Sequence, residues 1–149
     1  MDIDLAVRVS EALQRRFEGL YLSPYLCPAG IPTIGYGSTH YLDGTAVSLT
    51  DPPITKEVAL TMLRDSVRRR YLPAVLKLCP NIDTPERLAA IIDWTYNLGS
   101  GRLRTSTLRK RINAGKWDSV PAELRKWTIG GGRVLKGLVA RREAEIELI

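Results

Sequence analysis

Apolar residues recur with a helical period over most of this chain. Over residues 4–18, Leu5, Val9, Ala12, Leu13 and Phe17 fall on one face, which predicts an amphipathic helix. Asp4 can cap its N-terminus, and Gly19 suits the left-handed position that ends a helix. Glu18 then lies in the last turn, beside the apolar stripe. Residues 23–32 interrupt the period: Pro24, Pro28, Gly30 and Pro32 predict a loop held in turns. Thr33 to Gly37 reads as a short strand whose glycines admit another backbone or a ligand. Ser38 to Leu42 and Thr45 to Leu49 flank Asp43-Gly44, the strongest short hairpin signal in the chain. A sheet of two or three such strands cannot stand alone and must pack on helices.

From Thr55 the pattern becomes helical and stays so. Residues 56–71 predict a helix with Ala59, Met62, Leu63 and Val67 inward, and Pro73 is expected to break or kink it. Thr84-Pro85-Glu86 is a helix start with proline in the first turn. The run from Leu88 to Leu98 is apolar nearly all round, as expected of a buried central helix that ends at Gly99. Further helices are predicted at 106–113, 117–127 and 134–147, separated by Gly115 and by Gly130-Gly131-Gly132. The expected fold class is α+β and mostly helical. A small αβ lobe (1–55) is joined by a connecting helix (56–80) to a larger helical lobe (81–149), with a cleft between the lobes.

A length of 149 residues suits one domain, and 44% hydrophobic with 26% charged residues is ordinary for a globular protein. No stretch reaches the roughly 18 apolar residues of a membrane span. The start, Met1-Asp2-Ile3-Asp4-Leu5, followed by Arg8, lacks the layout of a secretory signal, so synthesis in the cytoplasm is expected. The net charge of +6 favours a polyanionic partner: nucleic acid, anionic lipid or bacterial wall. Cys27 and Cys79 are too few for a disulfide scaffold, and with His40 the only histidine no metal site is predicted. Cys79, between Leu78 and Pro80, reads as a small core residue.

The candidate chemistry lies in Glu18, Cys27 and Thr33, spaced Glu-x8-Cys-x5-Thr. Singly these read as a solvated helix end, a packing residue and a strand former; jointly they offer a carboxylic acid, a water-activating group and a hydroxyl. Partial burial and the negative end of the helix dipole both disfavour the charge of Glu18, as a general acid requires, and Arg15 and Arg16 oppose this if they fold towards it.

With this spacing the chain resembles the phage-type lysozymes, the muramidase endolysins, whose signature is Glu, eight residues, Asp or less often Cys, five residues, Thr. The resemblance covers almost the whole chain. Thr33-Ile-Gly-Tyr-Gly37 is similar to the family's strand after the catalytic loop. Trp94-Thr-Tyr-Asn-Leu-Gly99 resembles the end of its central helix, and Ser106-Thr-Leu-Arg-Lys-Arg-Ile-Asn113 followed by Gly115 its next helix. Trp127 and Gly137-Leu-Val-Ala-Arg-Arg-Glu-Ala-Glu145 resemble its closing block.

The resemblance implies a lysozyme-like fold and cleavage of the β-1,4 bond between N-acetylmuramic acid and N-acetylglucosamine, without a cofactor. Glu18 would protonate the glycosidic oxygen, Cys27 would stand where an Asp usually activates water, and Thr33 would orient that water. Tyr36, Gly37, Asn97 and Arg142 are candidate substrate-binding residues. Asn97 reads equally as a helix cap. Arg141 and Arg142 could hold an anionic wall, with a solvated helix face expected for at least one of them. Two departures stand out. Cys27 is not a carboxylate, and a thiol with pKa of roughly 8.5 is mostly protonated at neutral pH. Gly37 is followed by Ser38 where relatives often carry His, so any pair of that histidine with an acid at the position of Asp65 is missing.

Three other functions stay open. A lytic transglycosylase needs only one acid/base Glu, because the sugar's own 6-hydroxyl attacks. A non-enzymatic cationic protein could bind wall or membrane through the basic C-terminal helix. A nucleic-acid binder has charge in its favour but no recognition motif, and the basic residues are scattered. The expected partner is bacterial peptidoglycan, met by a monomer in host lysis after release from the cytoplasm through a holin-type pore.

Overall fold

The computed structural model describes residues 1–149. Helix α1 (Ile3–Glu18) begins at Asp2, whose carboxylate accepts from the Leu5 backbone N–H, so the cap lies two residues before the expected Asp4. Asp4 sits in the first turn instead and pairs with Arg68 at 2.9 Å. Gly19 (φ 72°) ends the helix with a backbone that residues bearing a Cβ rarely adopt.

The sheet forms where a loop was expected. Strand β1 (Tyr21–Leu26) pairs antiparallel with β2 (Pro32–Gly35), with an irregular register between Tyr21 and Tyr25. Pro24 falls inside this irregularity of a two-stranded sheet, where its missing N–H costs no ladder bond. The Asp43-Gly44 segment does turn, with Asp43 accepting from the Thr45 N–H and hydroxyl. Its flanks pair only through the single bridge between His40 and Ala46, so the predicted hairpin ladder is absent. Val47 is buried with Ile34 and Met62 in a small second core rather than extending the sheet.

Helix α2 (Lys56–Ser66) is capped by Thr55 and continues through a π-helical turn (Val67–Tyr71) into α3 (Leu72–Leu78). Pro73 therefore does not stop the chain. The wider turn, closed by Leu72 N–H to the Val67 carbonyl, precedes the proline and absorbs its demand for space. Helix α4 (Pro85–Leu98) starts at Thr84, whose hydroxyl accepts from the Arg87 N–H, and ends at Gly99, as expected. Its residues Leu88 to Thr95 are all buried.

Around α4 are α5 (Ser100–Thr105), which had no sequence signal, α6 (Thr107–Asn113), and α7 (Val120–Arg125) behind a short 3-10 turn. Strands β3 (Ile129–Gly130) and β4 (Arg133–Val134) form a two-residue hairpin around Gly131-Gly132, and α8 (Lys136–Ile146) follows. The main core joins α1 (Ala6, Val7), α2, α3, α4, α6 and α7, with Trp94 edge-on to Trp127 at 5.3 Å. The fold is lysozyme-like: mostly helical, with a small β-hairpin at one side. Cys79 is buried in the core, and burial pushes its thiol up to about 11.

Candidate active site

Glu18 sits where α1 ends and the hairpin begins. Its side chain is 22% exposed, and Oε1 accepts from Arg141 Nη1 at 2.7 Å. Arg141 is the cation that reaches Glu18, from α8; Arg15 and Arg16 are exposed. Arg141 is itself fixed by Asp93 of α4, with Nε to Oδ2 at 2.9 Å and Nη2 to Oδ1 at 2.8 Å. This fork-on-fork pair is almost fully buried, 4% and 0% exposed for the two side chains. Burial works against the charge of Arg141, yet Asp93 and Glu18 together hold its guanidinium above the usual range. Asp93 is the one charged residue in the apolar run from Leu88 to Leu98, and that isolation was the signal that could have singled it out.

The other side of Glu18 is the Gly37 backbone. A Cβ built on Gly37 would stand 3.0 Å from Glu18 Oε2, so only glycine lets the strand end approach the carboxylate this closely. Tyr96 of α4 ties this backbone down by donating its hydroxyl to the Tyr36 carbonyl. Burial and then the Glu18 charge hold the Tyr96 hydroxyl far above its ordinary pKa, so it stays a neutral donor.

Cys27 and Thr33 come together in the hairpin. The chain turns at Cys27, with the Gly30 N–H bonded to the Cys27 carbonyl and the Cys27 N–H to Ile31. Thr33 stands opposite Tyr25 in the register and is buried. The Cys27 thiol is half-buried and unbridged. Its pKa is lowered, first by the Ile31 backbone N–H, against some desolvation, and further by Ala29 and the Thr33 hydroxyl. Thr33 Oγ1 donates to the Ile31 carbonyl at 2.8 Å; with one proton, the hydroxyl serves that carbonyl or the sulfur, not both. Burial, and then the neighbouring Tyr21, Glu18 and Cys27, raise the pKa of the Tyr25 hydroxyl.

Beside Glu18 opens a hollow of about 440 Å³ lined by Phe17, Pro28, Asn97, Leu138 and Arg141 among others. A second depression runs past Gly37 to Arg70, Tyr71 and Tyr96. Asn97 therefore faces the same hollow as Glu18, and its Oδ1 accepts from Arg142 at 2.8 Å. Two other candidates are placed differently from expectation. Tyr36 is 4% exposed and its ring is packed in the main core, so its backbone carbonyl rather than its ring lies toward Tyr96. Arg142 is fully buried, held by Glu145, Asn97 and the Trp127 carbonyl, and out of reach of a ligand in solvent. The expected solvated face for Arg141 or Arg142 is absent, because both guanidiniums point inward to acids. Ser38 is buried and Asp65 pairs with Arg69 on the surface, so no contact links these two positions.

The hidden contributors are Arg141, Asp93, Glu145 and Tyr96. Sequence spacing places Arg141 and Glu145 one helical turn apart on α8, but nothing local says that this face turns inward.

The chain matches the family model for phage lysozyme over residues 15–145. It is 37% identical over 138 residues to an endolysin of Acyrthosiphon pisum secondary endosymbiont phage 1, covering 89% of each chain. Among solved structures, an endolysin from Escherichia coli O157:H7 phage FAHEc1 superposes with a TM-score of 0.83 at 33% identity, covering 95% of this chain and 90% of the other. The muramidase domain of SpmX from Asticaccaulis excentricus gives a TM-score of 0.79 at 27% identity over 95% and 94% of the two chains. On the match to the family model and this identity over most of its length, the chain belongs to the phage lysozyme family.

Proposed function

We propose that this chain is a muramidase that hydrolyses the β-1,4 bond between N-acetylmuramic acid and N-acetylglucosamine, and that it acts as a phage endolysin in host cell lysis. The chain is a peptidoglycan hydrolase by family, a glycoside hydrolase acting on the bacterial wall. The observation that carries the residue-level reading is the Glu18 carboxyl, held by Arg141 at the edge of a hollow open to solvent. Glu18 donates its proton to the glycosidic oxygen as the bond breaks. Cys27 takes the place of the second carboxylate. The backbone donors around its sulfur favour the thiolate, which activates water for attack on the anomeric carbon. Thr33 orients that water when its hydroxyl swings from the Ile31 carbonyl. Asn97 offers its amide to the sugar chain from the lining of the same hollow. Gly37 keeps the strand close to Glu18.

All 149 residues act as one catalytic domain in this proposal. No helix of the chain is long and apolar enough to cross a membrane. Action as a monomer, and passage from host cytoplasm to wall through a holin-type pore, belong to the same proposal.

A second reading draws on one observation: Asp93 and Glu145 are buried, so Glu18 is the carboxyl that faces the hollow. A lytic transglycosylase works with a single acid/base. Mass spectrometry of fragments released from purified sacculi decides between them. Hydrated muropeptides with free reducing muramic acid ends support the muramidase. Anhydro-muramic ends of lower mass assign a transglycosylase, and no fragments from folded protein would sink both.

A further inference from the structure

Glu145 is a fully buried carboxyl to which the proposed reaction gives no task. Its neighbours among ionisable groups are Asp93 from α4 and Arg141 and Arg142 from its own helix. The charged side chains of α7 are engaged elsewhere, Glu123 with Lys126 and Arg125 with Glu143. On α1, Asp4 is paired with Arg68, Glu11 with Arg64 and Glu18 with Arg141, while Arg8, Arg15 and Arg16 are exposed.

Within the cluster the two acids differ in kind. Both Asp93 oxygens accept from the Arg141 fork, the arrangement of an ionised carboxylate. Glu145 Oε2 accepts from Arg142 Nη2 at 3.0 Å, but Oε1 has no hydrogen-bond partner. Arg142 Nε lies 2.7 Å from Oε1 without aiming its N–H at it, and that N–H is itself unpartnered. A second buried anion with one oxygen unmet, against an Asp93 already ionised, is the costly state. A proton on Oε1 turns that oxygen into a donor for Asp93.

We propose that Glu145 carries a proton at neutral pH, shares it in a hydrogen bond to Asp93, and so acts as a positioning residue that keeps Asp93 on Arg141 and Arg141 on Glu18. Burial, and then contact with Asp93, push the Glu145 carboxyl well above the usual carboxylate range, in agreement with this placement. The proton assignment stands on the burial of Glu145 and its unmet oxygen; its consequence for Glu18 rests on the muramidase reading.

Two measurements test it. The first is a carbon-13 NMR pH titration of the glutamate side-chain carboxyls, with Glu145 assigned by comparison with E145Q. A protonated shift for Glu145 at about pH 7 is expected, whereas an exposed glutamate ionises near about 4.3. An ionised shift across neutral pH overturns the proposal, whether or not the protein cleaves peptidoglycan. The second is melting temperature against pH. Because the folded state binds this proton more tightly than the unfolded chain, wild type loses stability as pH rises above the ordinary carboxylate range. E145Q keeps a neutral donor and removes that slope. It should gain on wild type by roughly 3 °C for each unit by which the folded pKa is raised. Parallel curves for the two proteins would overturn it. On sacculi, E145A should lower kcat about tenfold with KM little changed, and E145Q should restore most of that loss. Equal loss in both variants removes the positioning role even where the NMR finds the proton.

Discussion

Arg141 Nη1 donates to Glu18 Oε1 across 2.7 Å, joining the last helix of the chain to the end of the first. The same guanidinium grips Asp93 with two further hydrogen bonds, so three helices meet on one side chain. Such a pair adds little net stability over an apolar core, but breaking it strands a buried charge. What it supplies is placement: Glu18 on a mobile linker would visit many rotamers, whereas on Arg141 it has one partner and one direction.

Arg141→Ala should therefore be among the most damaging single changes in the chain. Asp93 would lose its only cation fork, and the loss should be about 3–5 kcal/mol by chemical denaturation. D93N combined with Arg141→Met should cost clearly less than the sum of the two single changes, because the residues share one interaction. Additive losses would show that the buried pair is not the unit described.

Glu18→Gln removes the proposed proton donor while keeping shape and most of the Arg141 contact. The expected outcome is a fall in cell-wall cleavage of roughly 10²- to 10⁴-fold with an unchanged melting temperature within a few degrees. Undiminished lysis by this variant would favour a cationic wall or membrane binder instead.

Gly37→Ala tests the close approach of the strand to the acid. Gly37 has φ 83°, and the added Cβ meets Glu18 Oε2 at 3.0 Å. The left-handed backbone alone should cost about 1–2 kcal/mol. Activity should fall further than stability explains, because Glu18 must turn away. Activity equal to wild type in the folded fraction would mean that the carboxylate has room the geometry does not show.

The two cysteines should react very differently. Cys27 is half-buried with a lowered pKa, while burial pushes Cys79 up to about 11. Alkylation of the folded protein at neutral pH should mark Cys27 alone, with a rate midpoint below the roughly 8.5 of a free thiol. If its thiolate activates water, cleavage should rise with pH through that same midpoint. Cys27→Asp should move the rise to the carboxylate range, and Cys27→Ala should remove it. For Cys79 the linkage runs the other way. The folded thiol stays protonated where the unfolded one ionises, so stability falls as pH rises from about 9 towards about 11. Cys79→Ala should flatten that alkaline limb.

Several features were legible because local interactions decide them. The apolar face of α1, the Thr84 cap with Pro85 behind it, the all-round apolar run of α4 and the glycine stops at Gly19 and Gly99 follow from periodicity and backbone freedom. The Asp43-Gly44 turn formed as well, but a turn does not make a hairpin. Pairing went to Tyr21–Leu26 against Pro32–Gly35, where Pro24 had argued against a strand. Ladder bonds depend on what lies alongside, and the two-stranded sheet leaves Pro24 nothing to break. Pro73 shows the same limit: the π-helical turn that interrupts the α-helix before it is a response of neighbouring residues, invisible in the proline itself.

Chain order alone singled out the residues proposed to supply the chemistry: an acid at a helix end, a thiol in a turn and a hydroxyl on a strand, at fixed spacing. It also determined that most of the molecule is helix. Tertiary packing decided which charges these residues meet. Arg141 lies 123 positions from Glu18, so no local preference could pair them. The Arg141-Arg142 dipeptide reads as surface until α8 is docked on α4, and then both guanidiniums are inside. A charged side chain takes its role from the dielectric and the partners around it, and those exist only once distant segments have been packed together.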